Sequence, residues 1–101
     1  PEKIFGILGV SASAERCEAM QGLLEEGDEI LTATGDSNVK DALLIGAAQR
    51  IEHYEMAGYG TARSFAKSLN LSDVAELLQE TLDEEGAADK KLTAIAEDGW
   101  L

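Results

Sequence analysis

Cysteine, proline and histidine each occur once in the 101 residues, and cations are few: eight Lys and Arg stand against twenty Asp and Glu. Each scarcity excludes something. The lone Cys17 forms no internal disulfide and supplies no cysteine-based zinc site, so packing or hard oxygen ligands must hold the fold, and burial is the role expected for its thiol. A net charge of −12 disfavours a nucleic-acid backbone, where affinity comes mostly from cationic side chains displacing phosphate counterions, and disfavours an anionic membrane surface for the same reason. No apolar run approaches the roughly 20 residues of a bilayer-spanning helix. Pro1-Glu2-Lys3-Ile4-Phe5 lacks the long apolar core and small-residue cleavage site of a secretory signal, which sets the expectation of a cytoplasmic protein. The length suits a single domain over residues 1–101 and excludes a multidomain enzyme. An apolar share of 45% is too high for a disordered acidic tail, so the chain should fold.

No stretch alternates apolar and polar residues, and the periodicity is helical throughout. Pro1 to Leu8 carries Ile4, Phe5 and Leu8 on one face and stops at a C′ glycine, Gly9. A helix this short reads as the tail of a longer one, because isolated helices below about 12–15 residues are marginal. A second helix is expected from Ala14 to Ala33, capped by Ser13 or Ser11. Its inward face carries Cys17, Met20, Leu23, Leu24, Gly27 and Leu31, and Glu18, Glu25 and Glu29 form its solvated face. Thr34-Gly35-Asp36-Ser37-Asn38 is a turn, with Asn38 or Ser37 as the cap of a third helix from Val39 to Leu69, about 46 Å long. The apolar stripe of that helix, Leu44, Ala47, Ala48, Ile51, Tyr54, Gly58, Ala62, Phe65 and Leu69, is rich in small residues and implies a closely approaching neighbour. Asn70 breaks it, either as a C′ residue or as the cap of the last helix, Ser72 to Glu97. The connection is so short that the two long helices must be antiparallel neighbours.

Acidic residues interrupt both long stripes. At 100° per residue with Ile51 at zero, the buried face of the third helix centres near about 20°; Glu55 falls near about 40°, Glu52 near about 100° on the margin, and His53 near about 200°, facing away. In the last helix, with Leu78 at zero, Glu85 falls near about −20° and Asp89 near about 20°, whereas Asp83 and Glu84 point outward. Burying ionised carboxylates without partners costs several kcal/mol each, roughly, so a cation, a basic partner, a proton or an open bundle must relieve them. Arg50, Arg63, Lys67, Lys90 and Lys91 fall mostly off the stripes, which leaves a metal as the sharper candidate, with oxygen donors that suit Fe, Mn, Mg or Ca. The alternative is a polar seam or an oligomer contact. Glu55 and Glu85 lie near mid-height of their helices, and inward carboxylates at one level are how di-iron four-helix bundles build their sites. His53 reads as a surface residue, or as a ligand toward a neighbouring chain. Tyr54 and Tyr59 are placed to hydrogen-bond a buried carboxylate, and Trp100 reads as a terminal packing residue.

Three strings in order carry a resemblance: Cys17-Glu18-Ala19-Met20-Gln21-Gly22-Leu23-Leu24-Glu25-Glu26-Gly27; Asp41 through Arg50-Ile51-Glu52-His53-Tyr54-Glu55 with Tyr59-Gly60-Thr61; and Leu77 through Asp83-Glu84-Glu85 to Asp89-Lys90-Lys91-Leu92-Thr93. Over about residues 2–97 the chain resembles the YciE/YciF family of ferritin-like bacterial proteins. The resemblance implies an all-α fold of the ferritin-like four-helix-bundle type, associated with stress responses and often dimeric, with a di-metal carboxylate site. Carried over by position, it implies metal ligands at Glu52, Glu55, Glu85 and Asp89, and iron or manganese as the metal. Family members begin with a long helix and most of a second, so the expectation here is a truncated set: a short helix remnant, one medium helix and two long antiparallel helices. Gly86 and Ala88 depart from the longer polar residues of the family, and a glycine there costs the helix roughly 1 kcal/mol.

Without facing helices, the apolar stripes lie open, which predicts a homo-oligomer in which helices of another copy complete the bundle. Oxidase or peroxidase chemistry, with two carboxylate-bridged metals and an open position for oxygen or peroxide, is expected only of the full-length parent. A metal-free oligomerisation module is the competing reading. Calcium storage ranks below both, since no Asp-x-Asp-x-Asp-Gly loop is present, and the single His53 and scattered glycines exclude hydrolase triads and phosphate loops.

Overall fold

The computed structural model describes residues 2–99 and contains α1 (Glu2–Leu8), α2 (Glu18–Thr32), α3 (Ser37–Ser68) and α4 (Ser72–Gly99), with no strand among the described residues. The all-α expectation holds. Trp100 lies outside the described residues, and so does the packing role expected for it.

Hydrogen bonds at the helix ends follow from a few residues. Gly9 takes a φ of +70°, and the bonds Gly9 N–H to Gly6 O (3.2 Å) and Val10 N–H to Phe5 O (3.1 Å) close α1 in a Schellman motif. The same motif ends α3: Asn70 sits at φ +60°, its N–H reaches Lys67 O at 3.1 Å, and Leu71 N–H reaches Ala66 O at 2.8 Å. Asn70 is therefore the C′ residue of α3. The cap of that helix is Asp36 rather than Asn38 or Ser37, and its carboxylate accepts from Asn38 N–H at 2.7 Å and Val39 N–H at 3.3 Å. A charged acceptor at a helix N-terminus also meets the positive end of the dipole.

The start of α2 corrects the sequence reading. Helix begins at Glu18, not Ala14, and the N-cap is Cys17, with no side-chain cap bond from it and none of the role expected of Ser11 or Ser13. Residues 11–19 are all exposed, so nothing apolar anchors an extra turn there, and propensity alone does not sustain one. Cys17 is likewise exposed rather than buried.

Packing is dominated by α3 against α4, with α2 laid on α3 and α1 on α4. Gln49 meets Thr93 while Ala66 packs with Val74, which fixes the long pair as antiparallel. The core near the α3–α4 turn is Ala66, Val74, Ala75 and Leu78, flanked by Ile4, Tyr59, Ala62 and Leu71, and Ala47 is buried farther along. Small residues at 47, 66 and 75 let the two backbones approach. Gly58 does not serve that purpose, because a Cβ there would meet nothing within 4 Å. Phe65 and Leu69, expected inward, are 65% and 68% exposed, and Leu24, Leu31, Tyr54 and Ile95 are exposed too. The α4 helix runs unbroken through Gly86.

The molecule measures 50 × 28 × 18 Å. The radius of gyration is 16.6 Å, against about 13 Å for a compact chain of this length. The accessible surface is 7129 Å², against about 5,500 Å² for a compact monomer of similar mass. One face of the α3–α4 pair is left open. Among the described residues no helix is long and apolar enough to cross a membrane.

Candidate metal centre

Glu52 and Glu55 stand three apart on α3, and Glu85 and Asp89 stand four apart on α4, so each pair shares a helix face. The antiparallel register sets Glu55 against Glu85 and brings Glu52 within the electrostatic reach of both Glu85 and Asp89. All four residues are half-buried, while Asp83 and Glu84 are exposed, as their positions on the helix predict.

The crowding of like charges is legible in the protonation behaviour. Glu85 is held above the ordinary carboxyl range, first by a hydrogen bond with Glu55, then by burial, then by the charge of Glu55. Two carboxyl groups share a hydrogen bond only when one carries a proton, so the contact with Glu55 favours the protonated form of Glu85. Glu52 is also raised, mainly by burial and then by the charges of Glu85 and Asp89, with His53 acting in the opposite direction. Oε2 of Glu52 and Oδ1 of Asp89 are buried without a hydrogen-bond donor.

His53 corrects the periodicity reading. It is exposed as expected, yet its Nδ1 lies 3.4 Å from Asp89 Oδ1 on the neighbouring helix. That separation gives attraction but no hydrogen bond, because the same Nδ1 stands 2.8 Å from the Gln49 carbonyl, which can only accept and therefore takes the proton. Gln49 donates from Nε2 to Thr93 Oγ1 at 2.8 Å and, more weakly, to the Asp89 carbonyl at 3.5 Å. Sequence reasoning missed Gln49 and Thr93. The signal was available: Gln49 is one turn before His53 on the same face, and Thr93 is one turn after Asp89.

The tyrosines divide. Tyr59 keeps its phenol proton more tightly than usual, through burial and then the charges of Glu55 and Glu85, which places it beside the carboxylate pair. Tyr54 bonds elsewhere, its hydroxyl 3.0 Å from Cys17 Sγ. That contact, followed by the backbone of Met20, lowers the thiol pKa, and the same contact with Cys17 raises that of Tyr54.

Among the described residues no three His, Cys, Asp or Glu side chains converge closely enough to enclose a metal ion. The donor set nevertheless offers oxygens that a cation would satisfy: Glu52 Oε2 and Asp89 Oδ1 are buried and lack donors.

Comparison with known proteins adds four likenesses. Residues 2–100 match a family described as a domain of unknown function, DUF892. Protein YciF of Escherichia coli strain K12 is 51% identical over 81 residues, which cover 80% of this chain and 49% of YciF. The crystal structure of the E. coli stress protein YciF superposes with a TM-score of 0.90 at 42% identity, over 96% of this chain and 62% of that one. YcfI of Rhodopseudomonas palustris, provisionally described as a structural protein, superposes with a TM-score of 0.86 at 39% identity, over 91% of this chain and 59% of the other. The chain spans about half the length of the curated relative it matches.

Proposed function

We propose a function from one premise: this chain belongs to the DUF892 family, and its relatives include a bacterial stress protein. It is the carboxylate-bearing half of a ferritin-like metal-binding protein of the stress response, with Glu52, Glu55, Glu85 and Asp89 holding iron or manganese once facing helices complete the bundle. The observation that supports this is that four half-buried acids stand on α3 and α4, two of them with buried oxygens that have no donor. When bound, a pair of bridged redox metals supplies electron transfer to oxygen or peroxide. The chain's own residues would bind and orient: Glu55 and Glu85 face each other between helices, Glu52 and Asp89 offer free oxygens, and Tyr59 keeps its proton beside them.

Elemental analysis of the purified protein tests this. Stoichiometric iron or manganese in the wild type, abolished in Glu55→Ala and Glu85→Ala, is the expected result. In the metal-free state both substitutions should raise the melting temperature by several degrees, because each removes a charge that burial and a like neighbour oppose. A wild type that takes up neither metal overturns the reading.

A second reading, a metal-free structural module, is favoured by the open face of the long pair. Phe65 and Leu69 line a groove of about 980 Å³ with Ile4, Phe5, Met20 and Tyr59. Exposed apolar patches of that kind mark association surfaces, and helices of a second copy are the occupant this reading names.

A further inference from the structure

Little holds α1 to the rest of the molecule. It has seven residues, none of them buried, and it packs on α4, with Ile4 against the core that includes Val74 and Leu78. A helix of that length has no stability of its own, so only its docking contacts keep it in place. Residues 9–17, which lead from it to α2, are all exposed, and residues 11–16 make no backbone-to-backbone hydrogen bond. Extended, that connection reaches about 30 Å, several times the separation of about 8–10 Å between packed helices. Its ends stand on opposite walls of the apolar groove, Leu8 on the α4 side and Cys17 against Tyr54 of α3, and none of residues 9–16 lines the groove itself.

The open face has the area and the charge pattern of a contact between copies. The chain exposes about 1,600 Å² more than a compact monomer of its mass, and a stable interface takes roughly 800 Å² from each partner. At a net charge of −12, two copies repel wherever their acids meet. Among the described residues Glu55 is the one charged side chain that lines the groove, so two copies meet there with least repulsion.

We infer that a second copy covers this face and that the two copies exchange α1, each laying its Glu2–Leu8 helix on the α4 of the other; this rests on the second reading above. Exchange keeps every contact that α1 makes, because the site on the other copy is identical. It also removes an obstacle. Two faces closing over connections left in place would bury backbone N–H groups that have no partner, whereas a connection that crosses to the other copy leaves along the edge of the pair and stays in water. Once the faces meet, both α4 sites lie within reach of one connection, so α1 finds either at a similar effective concentration.

The test is cross-linking between Ile7 and Ser72, which are exposed and line one shallow pocket between α1 and the start of α4. Ile7→Cys and Ser72→Cys are made in a Cys17→Ser background, singly and together, refolded at micromolar concentration and bridged with a short bismaleimide. The double variant should run as a covalent dimer on a denaturing gel. A refolded mixture of the two single variants should give a covalent dimer with one chain of each, in far greater yield than either alone. If either substitution lowers helical content, Leu8→Cys and Leu71→Cys, which line the groove together, give the same readout. A double variant linked only within its own chain, in a sample that sediments as a dimer, overturns the exchange and leaves the second reading standing. Equal yields from the mixture and from a single variant also overturn it, because exchange sets Ile7 beside the partner's Ser72. A protein that sediments as a monomer overturns both.

Discussion

At the scale of single residues, the acids carry the account. Glu52 and Glu85 bind their protons more tightly in the folded chain than in an unfolded one, mainly through burial for Glu52 and through the Glu55 contact for Glu85. The folded state therefore holds more protons than the unfolded state above the ordinary glutamate value of about 4.3, and stability falls as pH rises through the raised values. Metal-free protein should melt at a higher temperature at pH 5 than at pH 7.5, and Glu85→Gln should flatten that dependence; a melting temperature that climbs with pH over this range contradicts it. Glu55, Glu85 and Asp89 were legible in the sequence because an acid on an apolar stripe stands out against a fixed period. His53 was not, because its position faces away and the length of its side chain brings its ring to Asp89. Cys17 misled for a related reason: cysteines are usually buried, but the face of α2 that carries it is mostly uncovered.

At the scale of elements, the long helices and the turn between them were legible, since Asn70 and the unbroken apolar periods define them without tertiary information. The ends were less so. Asp36, Ser37 and Asn38 all have capping side chains, and the choice falls to the one whose oxygen meets two N–H groups at once. Asp36→Ala should cost about 1 kcal/mol of unfolding free energy by urea titration, whereas Ser37→Ala should be near neutral. Equal losses for the two would move the cap. The start of α2 was misjudged because residues 14–17 favour helix by propensity, yet have no apolar surface to dock against.

At the scale of the whole molecule, the open face is the dominant fact. The described core contains no large side chain that is fully buried, and Phe65 and Leu69 stand in solvent on the stripe that the sequence marks as inward. The periodicity was right about which residues form a continuous apolar face, and silent about what covers it, because a repeat records the need for burial and not its partner. Sedimentation at micromolar concentration should show association, and Phe65→Asp should shift it toward monomer with helical content unchanged. A compact wild-type monomer contradicts that expectation.

The measurement that tests the central claim most directly is native mass spectrometry of the wild-type protein after exposure to Fe(II) or Mn(II) and removal of excess metal. The expected spectrum shows an assembly carrying a whole number of metal ions, and the same assembly without them after Glu55→Ala. A wild-type spectrum with no retained metal in any assembly contradicts the claim that these four carboxylates form half of a metal site.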